Sequence, residues 1–155
     1  MKDKSGRYML IKPINTKNKA RLITVDVEDW FHILETHIPS PDKWTSLPSC
    51  IAPNISWIID NLQEKHNSAT FFFLGWVAQQ YPQIVRKVSE CGFEVASHGF
   101  FHQSVDDMNI NNFSNDIVNT KKLLEDITGK EIIGYRSPGF TVWGKPNYIE
   151  KIQEA

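Results

Sequence analysis

The chain has 155 residues, the length of one domain, with apolar and charged contents of 41% and 23%, both ordinary for a globular protein. A formal net charge of −1 provides no field to gather nucleic acid or an anionic membrane surface. No apolar run approaches the roughly 20 residues of a membrane-spanning helix.

Residues 1–20 read as a polar lead-in, and residues 21–155 as a single domain. The start is basic but lacks a continuous apolar stretch, so no secretory signal is read and a cytoplasmic location is expected. The N-x-S sequences at Asn54 and Asn112 then carry little weight as glycosylation sites. Cys50 and Cys91 are expected to be separate reduced thiols.

"RLITVDV" (21–27) is β-branched and apolar, the pattern of a buried strand. Residues 30–50 carry Pro39, Pro41 and Pro48 and read as a long loop, which in a compact domain is often functional. Ile51, Ile55, Ile58, Ile59 and Leu62 share one helical face, so a helix is expected from about Pro53. "ATFFFLG" (69–75) is the next strand, "YPQIVRKVSECG" (81–92) a short helix with Pro82 in its first turn, and "FEVASHG" (93–99) a third strand. Ile110, Phe113, Ile117, Leu124 and Ile127 mark another helix, ended by Gly129. "EIIGYRSPG" (131–139) reads as a fourth strand, and "KPNYIEKIQEA" opens a last helix. Strand and helix alternate, which predicts an α/β fold of about four parallel strands with crossover helices.

In such folds functional groups collect where strands end. Three polar clusters fall there: Asp26, Glu28 and Asp29 in "TVDVEDW", His98 and His102 in "SHGFFH", and Arg136 in "YRSPGF". Each alone has a plain explanation as a helix cap, a solvated loop or a surface arginine. Together, imidazoles and carboxylates make the donor set of a hydrolytic metal site. Two histidines four apart can face one ion if the loop takes a helical turn. A nearby arginine could hold a carboxylate base ionised and oriented.

The order "TVDVEDW", "SHGFFH", "RSPGF" resembles the polysaccharide deacetylase family, the NodB-homology domain or carbohydrate esterase family 4. The variant D-V-E-D-W-F is most similar to a subgroup found with bacterial exopolysaccharide synthesis genes. The resemblance spans roughly residues 20–145. It implies the N-terminal portion of a distorted (β/α)7 barrel. It also implies a metal-dependent N-deacetylase acting on an N-acetylated amino-sugar polymer or oligosaccharide, with a divalent ion, most often zinc, as cofactor.

By the same resemblance Asp26 would be the general base, Arg136 its orienting partner, and Gly139 a main-chain oxyanion donor. His98 and His102 would hold the metal. The family's usual ligating aspartate follows the base directly, but Val27 stands there. Strand alternation favours Glu28 as third ligand, with Asp29 as the alternative. Trp30, Phe140 and Trp143 are candidate substrate contacts, with Gly139 where the family usually has an aromatic.

The family's proton-donating histidine would lie beyond this chain, since His32, His37 and His66 match no motif context. The chain is therefore expected to be truncated and, alone, a poor catalyst of low stability, completed by a missing C-terminal half or another chain. Three alternatives stay open: an allantoinase-like hydrolase of another linear or cyclic amide, a decayed, non-catalytic fragment, and an independent open α/β binding domain whose histidines are incidental.

Overall fold

The computed structural model describes residues 22–34 and 40–155. His37 and the whole of the lead-in lie outside them. Three parallel strands, β1 (Thr24–Val27), β2 (Thr70–Phe73) and β3 (Glu94–Ser97), form a sheet in the order β1-β2-β3. The register pairs Asp26 with Phe72 and Phe72 with Ala96. A helix, α1 (Ile51–Glu64), joins β1 to β2. Two more, α2 (Gly75–Gln80) and α3 (Pro82–Glu90), join β2 to β3. After β3 come α4 (Ile110–Thr128) and α5 (Pro146–Glu154).

The α/β expectation holds, with local differences that have physical causes. The helix α1 starts at Ile51, and Pro53 sits in its first turn, where a missing N–H costs nothing. The segment 75–80 is an unexpected helix: Gly75, Trp76, Val77 and Ala78 are all buried, so no amphipathic stripe announces it. The break at Tyr81 (φ −130°) and Pro82 separates it from α3. The helix α4 begins at the Asn109 cap, whose side chain accepts from the Asn112 N–H, and ends at left-handed Gly129.

The predicted fourth strand over 131–139 contributes a single parallel bridge, Tyr135 with Ser97. Ser97 N–H donates to the Gly134 carbonyl at 2.8 Å, and Arg136 N–H donates to the Ser97 carbonyl at 2.9 Å. A Cβ on Gly134 would lie 2.9 Å from the Ala96 methyl, so glycine is what permits this approach. Beyond it, Pro138 supplies no N–H and the chain turns away.

The odd-numbered strand residues face the helices. Val27, Phe71 and Phe73 are at most 1% exposed and pack with Ile59, Leu74, Val77, Val85 and Val88. The 30–50 segment is held down by an aromatic cluster in its described parts: Phe31, His32 and Trp44 pack with one another and with Trp76 of α2.

Candidate metal and catalytic site

The site lies at the C-terminal ends of β1 and β3. Period-two alternation puts Asp26 and Glu28 on the open face and drives Val27 into the core. A ligand directly after Asp26 would point into the helix layer, which is why the next carboxylate on the right side is Glu28. One ligand atom each from Glu28, His98 and His102 come within 4.8 Å of one another.

His98 is 2% exposed, and its N–H donates to the Phe73 carbonyl at 2.8 Å. Its Nδ1 lies 2.8 Å from the Arg136 carbonyl. A carbonyl only accepts, so Nδ1 carries the proton and Nε2 keeps its lone pair. Gly99 (φ +74°) turns the chain, and His102 (φ +54°) brings its ring to 4.9 Å from that of His98, centroid to centroid. A single helical turn is not needed; left-handed backbone makes the two imidazoles meet.

His102 Nε2 lies 3.1 Å from Glu28 Oε2, yet that buried oxygen has no hydrogen-bond donor. The close approach lacks hydrogen-bond geometry, so a carboxylate lone pair and an imidazole face one small volume. Burial, with help from the Asp26 charge, pushes the Glu28 carboxyl up to about 7. Burial, and then the His98 ring, push His102 down to about 4, and burial lowers His98 as well. Neutral imidazoles and a carboxylate short of positive charge are the donor set a divalent cation satisfies, so the residues fit such an ion.

Beside this cluster Arg136 forms an ion pair with Asp26, donates through Nη2 to Thr24 Oγ1 at 3.0 Å, and stacks over the Phe72 ring at 4.0 Å. Stacking and two side-chain bonds fix the guanidinium plane. The second Asp26 oxygen lies 4.0 Å from His98 Nε2, so the carboxylate bridges the arginine and the candidate metal ligands. Asp26, Glu28, His98, His102 and Arg136 line a cleft of about 270 Å³ together with Ile33, Leu34, Ser137, Gly139 and Phe140. Gly139 has φ +57°, and a Cβ there would lie 2.7 Å from Leu34 Cδ1.

Other sequence candidates fall elsewhere. Asp29 is not in the cluster: its Oδ1 accepts the Cys50 N–H at 3.0 Å, tying β1 to the start of α1. Trp30 does not line the cleft, and its indole N–H donates to the Pro48 carbonyl at 3.3 Å. Trp143 is 90% exposed and borders an adjoining groove of about 410 Å³ shared with Phe72 and Phe140. Of the three aromatic candidates only Phe140 borders the cleft itself.

Two groups escaped sequence reasoning. His32 is buried, its Nδ1 accepts the Asp29 N–H at 2.8 Å, and burial lowers its pKa to about 4. Its position in the apolar "DWFHIL" was the available signal. Asp116 lies beneath the histidine loop, next to Ile117 on the buried stripe of α4.

A strand-end cluster of two histidines, a glutamate and an arginine-held aspartate on a parallel α/β scaffold defines a candidate metallohydrolase. The comparisons specify it further. The family model described as polysaccharide deacetylase matches residues 46–148, and the chain belongs to that family. The match takes in both histidines and Arg136; the aspartate motif precedes it.

A peptidoglycan-N-acetylglucosamine deacetylase of Bacillus cereus is 32% identical over 105 residues, 66% of this chain and 49% of the relative. A chitooligosaccharide deacetylase of Azorhizobium caulinodans is 26% identical over 103 residues, 64% of this chain and 49% of that one. The chain spans about half the length of these curated relatives, or less. A family 4 carbohydrate esterase from Streptomyces lividans, solved with acetate, superposes with a TM-score of 0.65 at 18% identity, covering 86% of this chain and 57% of that one. A family 4 pseudoenzyme from Bacillus anthracis gives a TM-score of 0.67 at 14% identity, covering 86% and 39%. These last two likenesses show the fold: part of a NodB-type barrel.

Proposed function

We propose that this chain carries the metal and base half of an active site for N-deacetylation of an acetylated amino-sugar polymer or oligosaccharide. The observation that carries the reading is the contiguity of the Asp26–Arg136 pair with the Glu28, His98 and His102 cluster. The names of the curated relatives, deacetylases of peptidoglycan and chitooligosaccharide, support the substrate class.

Glu28, His98 and His102 would hold a divalent ion, zinc by its preference for imidazole and carboxylate donors. When bound, the ion supplies Lewis acidity and makes water more acidic. Asp26, held by Arg136, accepts the proton from attacking water. The Gly139 main chain, at the cleft wall, would meet the negative charge developing on the acetamide oxygen. Phe140 offers an apolar face to the sugar ring. Protonation of the departing amine is assigned to a group outside the described residues.

The test is stoichiometric zinc binding with acetate release from N-acetylglucosamine oligomers. Replacing both His98 and His102 with Ala should abolish zinc. Asp26→Asn should keep zinc and lower acetate release by about 10²- to 10⁴-fold. Full zinc content in the double histidine variant would refute the site.

A further inference from the structure

The histidine loop must bring two imidazoles over one point while its backbone passes through left-handed conformations at Gly99 (φ +74°) and His102 (φ +54°). A loop of this kind holds its shape only if surrounding groups determine it. One set of ties comes from α2: Gly75 N–H donates to the Gly99 carbonyl at 2.8 Å, and Trp76 N–H to the Phe100 carbonyl at 3.1 Å. The opposite tie comes from α4. Phe100 N–H donates to both carboxylate oxygens of Asp116, at 3.0 and 3.1 Å.

Phe100 is midway between the two histidines, so this amide is the pivot of the loop. The carboxylate is also packed against the turn itself. A Cβ on Gly99 would lie 3.1 Å from Asp116 Oδ2, tighter than an ordinary contact, and the left-handed backbone there disfavours a side chain as well. Among the described residues no lysine or arginine pairs with Asp116. Its desolvation outweighs the stabilisation it receives from the Phe100 amide, and its carboxyl is pushed up to about 6. An apolar residue would occupy this partly buried position on α4 at lower cost. A group that burdens the fold while gripping the loop's central amide points to a positional role.

We propose that Asp116 is a positioning residue for the candidate metal centre. Its carboxylate, rooted in α4, fixes the Phe100 amide and thereby sets the separation at which His98 and His102 converge. This rests on the metal reading above. The role is separate from ligation, because Asp116 does not belong to the cluster of candidate ligand atoms.

The experiment measures zinc affinity of the 155-residue chain by competition with a chromophoric chelator, alongside thermal unfolding and hydrogen exchange at the Phe100 amide. Asp116→Leu keeps the γ-branched outline, with bulkier methyls in place of the oxygens, and removes the acceptor. It should weaken zinc by about 10- to 100-fold, the usual cost of losing an outer-shell partner. It should also speed Phe100 exchange while leaving the β1–β3 amides protected. Asp116→Asn retains one accepting oxygen and should stay within about threefold of the parent. Asp116→Ala repeats the test if the leucine variant does not fold. Ile117→Ala, which opens a cavity on the same helix, should lower the melting temperature and leave zinc affinity of the folded protein unchanged. Parent-like affinity in both Asp116→Leu and Asp116→Ala, or equal weakening in Ile117→Ala, overturns the proposal while the metal site stands. A parent chain that binds no zinc overturns the metal reading and this proposal with it.

Discussion

On the helix side of the sheet, Val27, Phe71 and Phe73 are at most 1% exposed and meet apolar neighbours. On the other side the same strands present Thr24, Asp26 and Phe72, half-buried or exposed, with Arg136 laid across them. The first face is closed and stabilises by removing carbon from water. The second is open, carries charge, and keeps carboxylate and imidazole atoms without hydrogen-bond partners. One period-two alternation along a short strand separates stability from chemistry, so the two can be perturbed independently.

The largest expected effect is on the closed face. Phe71→Ala should cost about 3–5 kcal/mol by loss of burial and creation of a cavity, read as a fall in the denaturant midpoint. Zinc affinity of whatever fraction remains folded should not change; a matching loss of affinity would show that the faces are coupled.

Acid should expose the cost of the buried imidazole next. His32 titrates near 6.5 when unfolded and near 4 when folded. Between those values the unfolded chain binds a proton that the folded chain refuses, so stability is full above about pH 6.5 and falls as pH drops toward 4. The size is roughly 3 kcal/mol. Glu28 and Asp116, both raised, act with the opposite sign in part of that window, because the folded chain binds their protons more readily than the unfolded one. The assignment is therefore read as a difference: His32→Leu should be less sensitive to acid than the parent. Identical pH slopes would remove His32 from the account.

Gly134→Ala should destabilise by about 1–3 kcal/mol through overpacking against Ala96. Because Arg136 follows two residues later, this variant should also impair acetate release more than its stability loss explains. An activity loss no greater than the loss of folded protein would mean that the Asp26–Arg136 pair tolerates the shift.

The smallest effect sharpens the boundary of the site. Asp29→Ala should cost about 0.5–2 kcal/mol, the range for losing a helix-start acceptor, because it releases the Cys50 N–H. Zinc affinity should stay at the parent value, whereas Glu28→Ala should lose it. The reverse pattern would exchange the two carboxylates.

Much of this was legible in the amino-acid order. Strand alternation alone separates Asp26 and Glu28 from Val27. The apolar stripe of α4 and its Gly129 stop are local signals, and the structure follows them. The segment 131–139 shows where local signals end. It has strand-like composition, but a ladder needs a partner over several residues, and this one meets β3 at a single bridge. The helix over 75–80 was unreadable for a related reason, since a short helix buried on all sides carries no periodicity.

The sequence by itself determined the alternation of strands and helices, the carboxylates on the open face, and the histidine pair placed at a strand end. Those follow from periodicity and propensity, which act over a few residues. Only the tertiary structure decided that Glu28 rather than Asp29 joins His98 and His102, that Trp30 turns toward Pro48, and that Asp116 grips the loop between the histidines. Each of these depends on which distant backbone N–H or carbonyl lies within about 3 Å, the reach of a hydrogen bond. That is fixed by how the elements pack, not by their order.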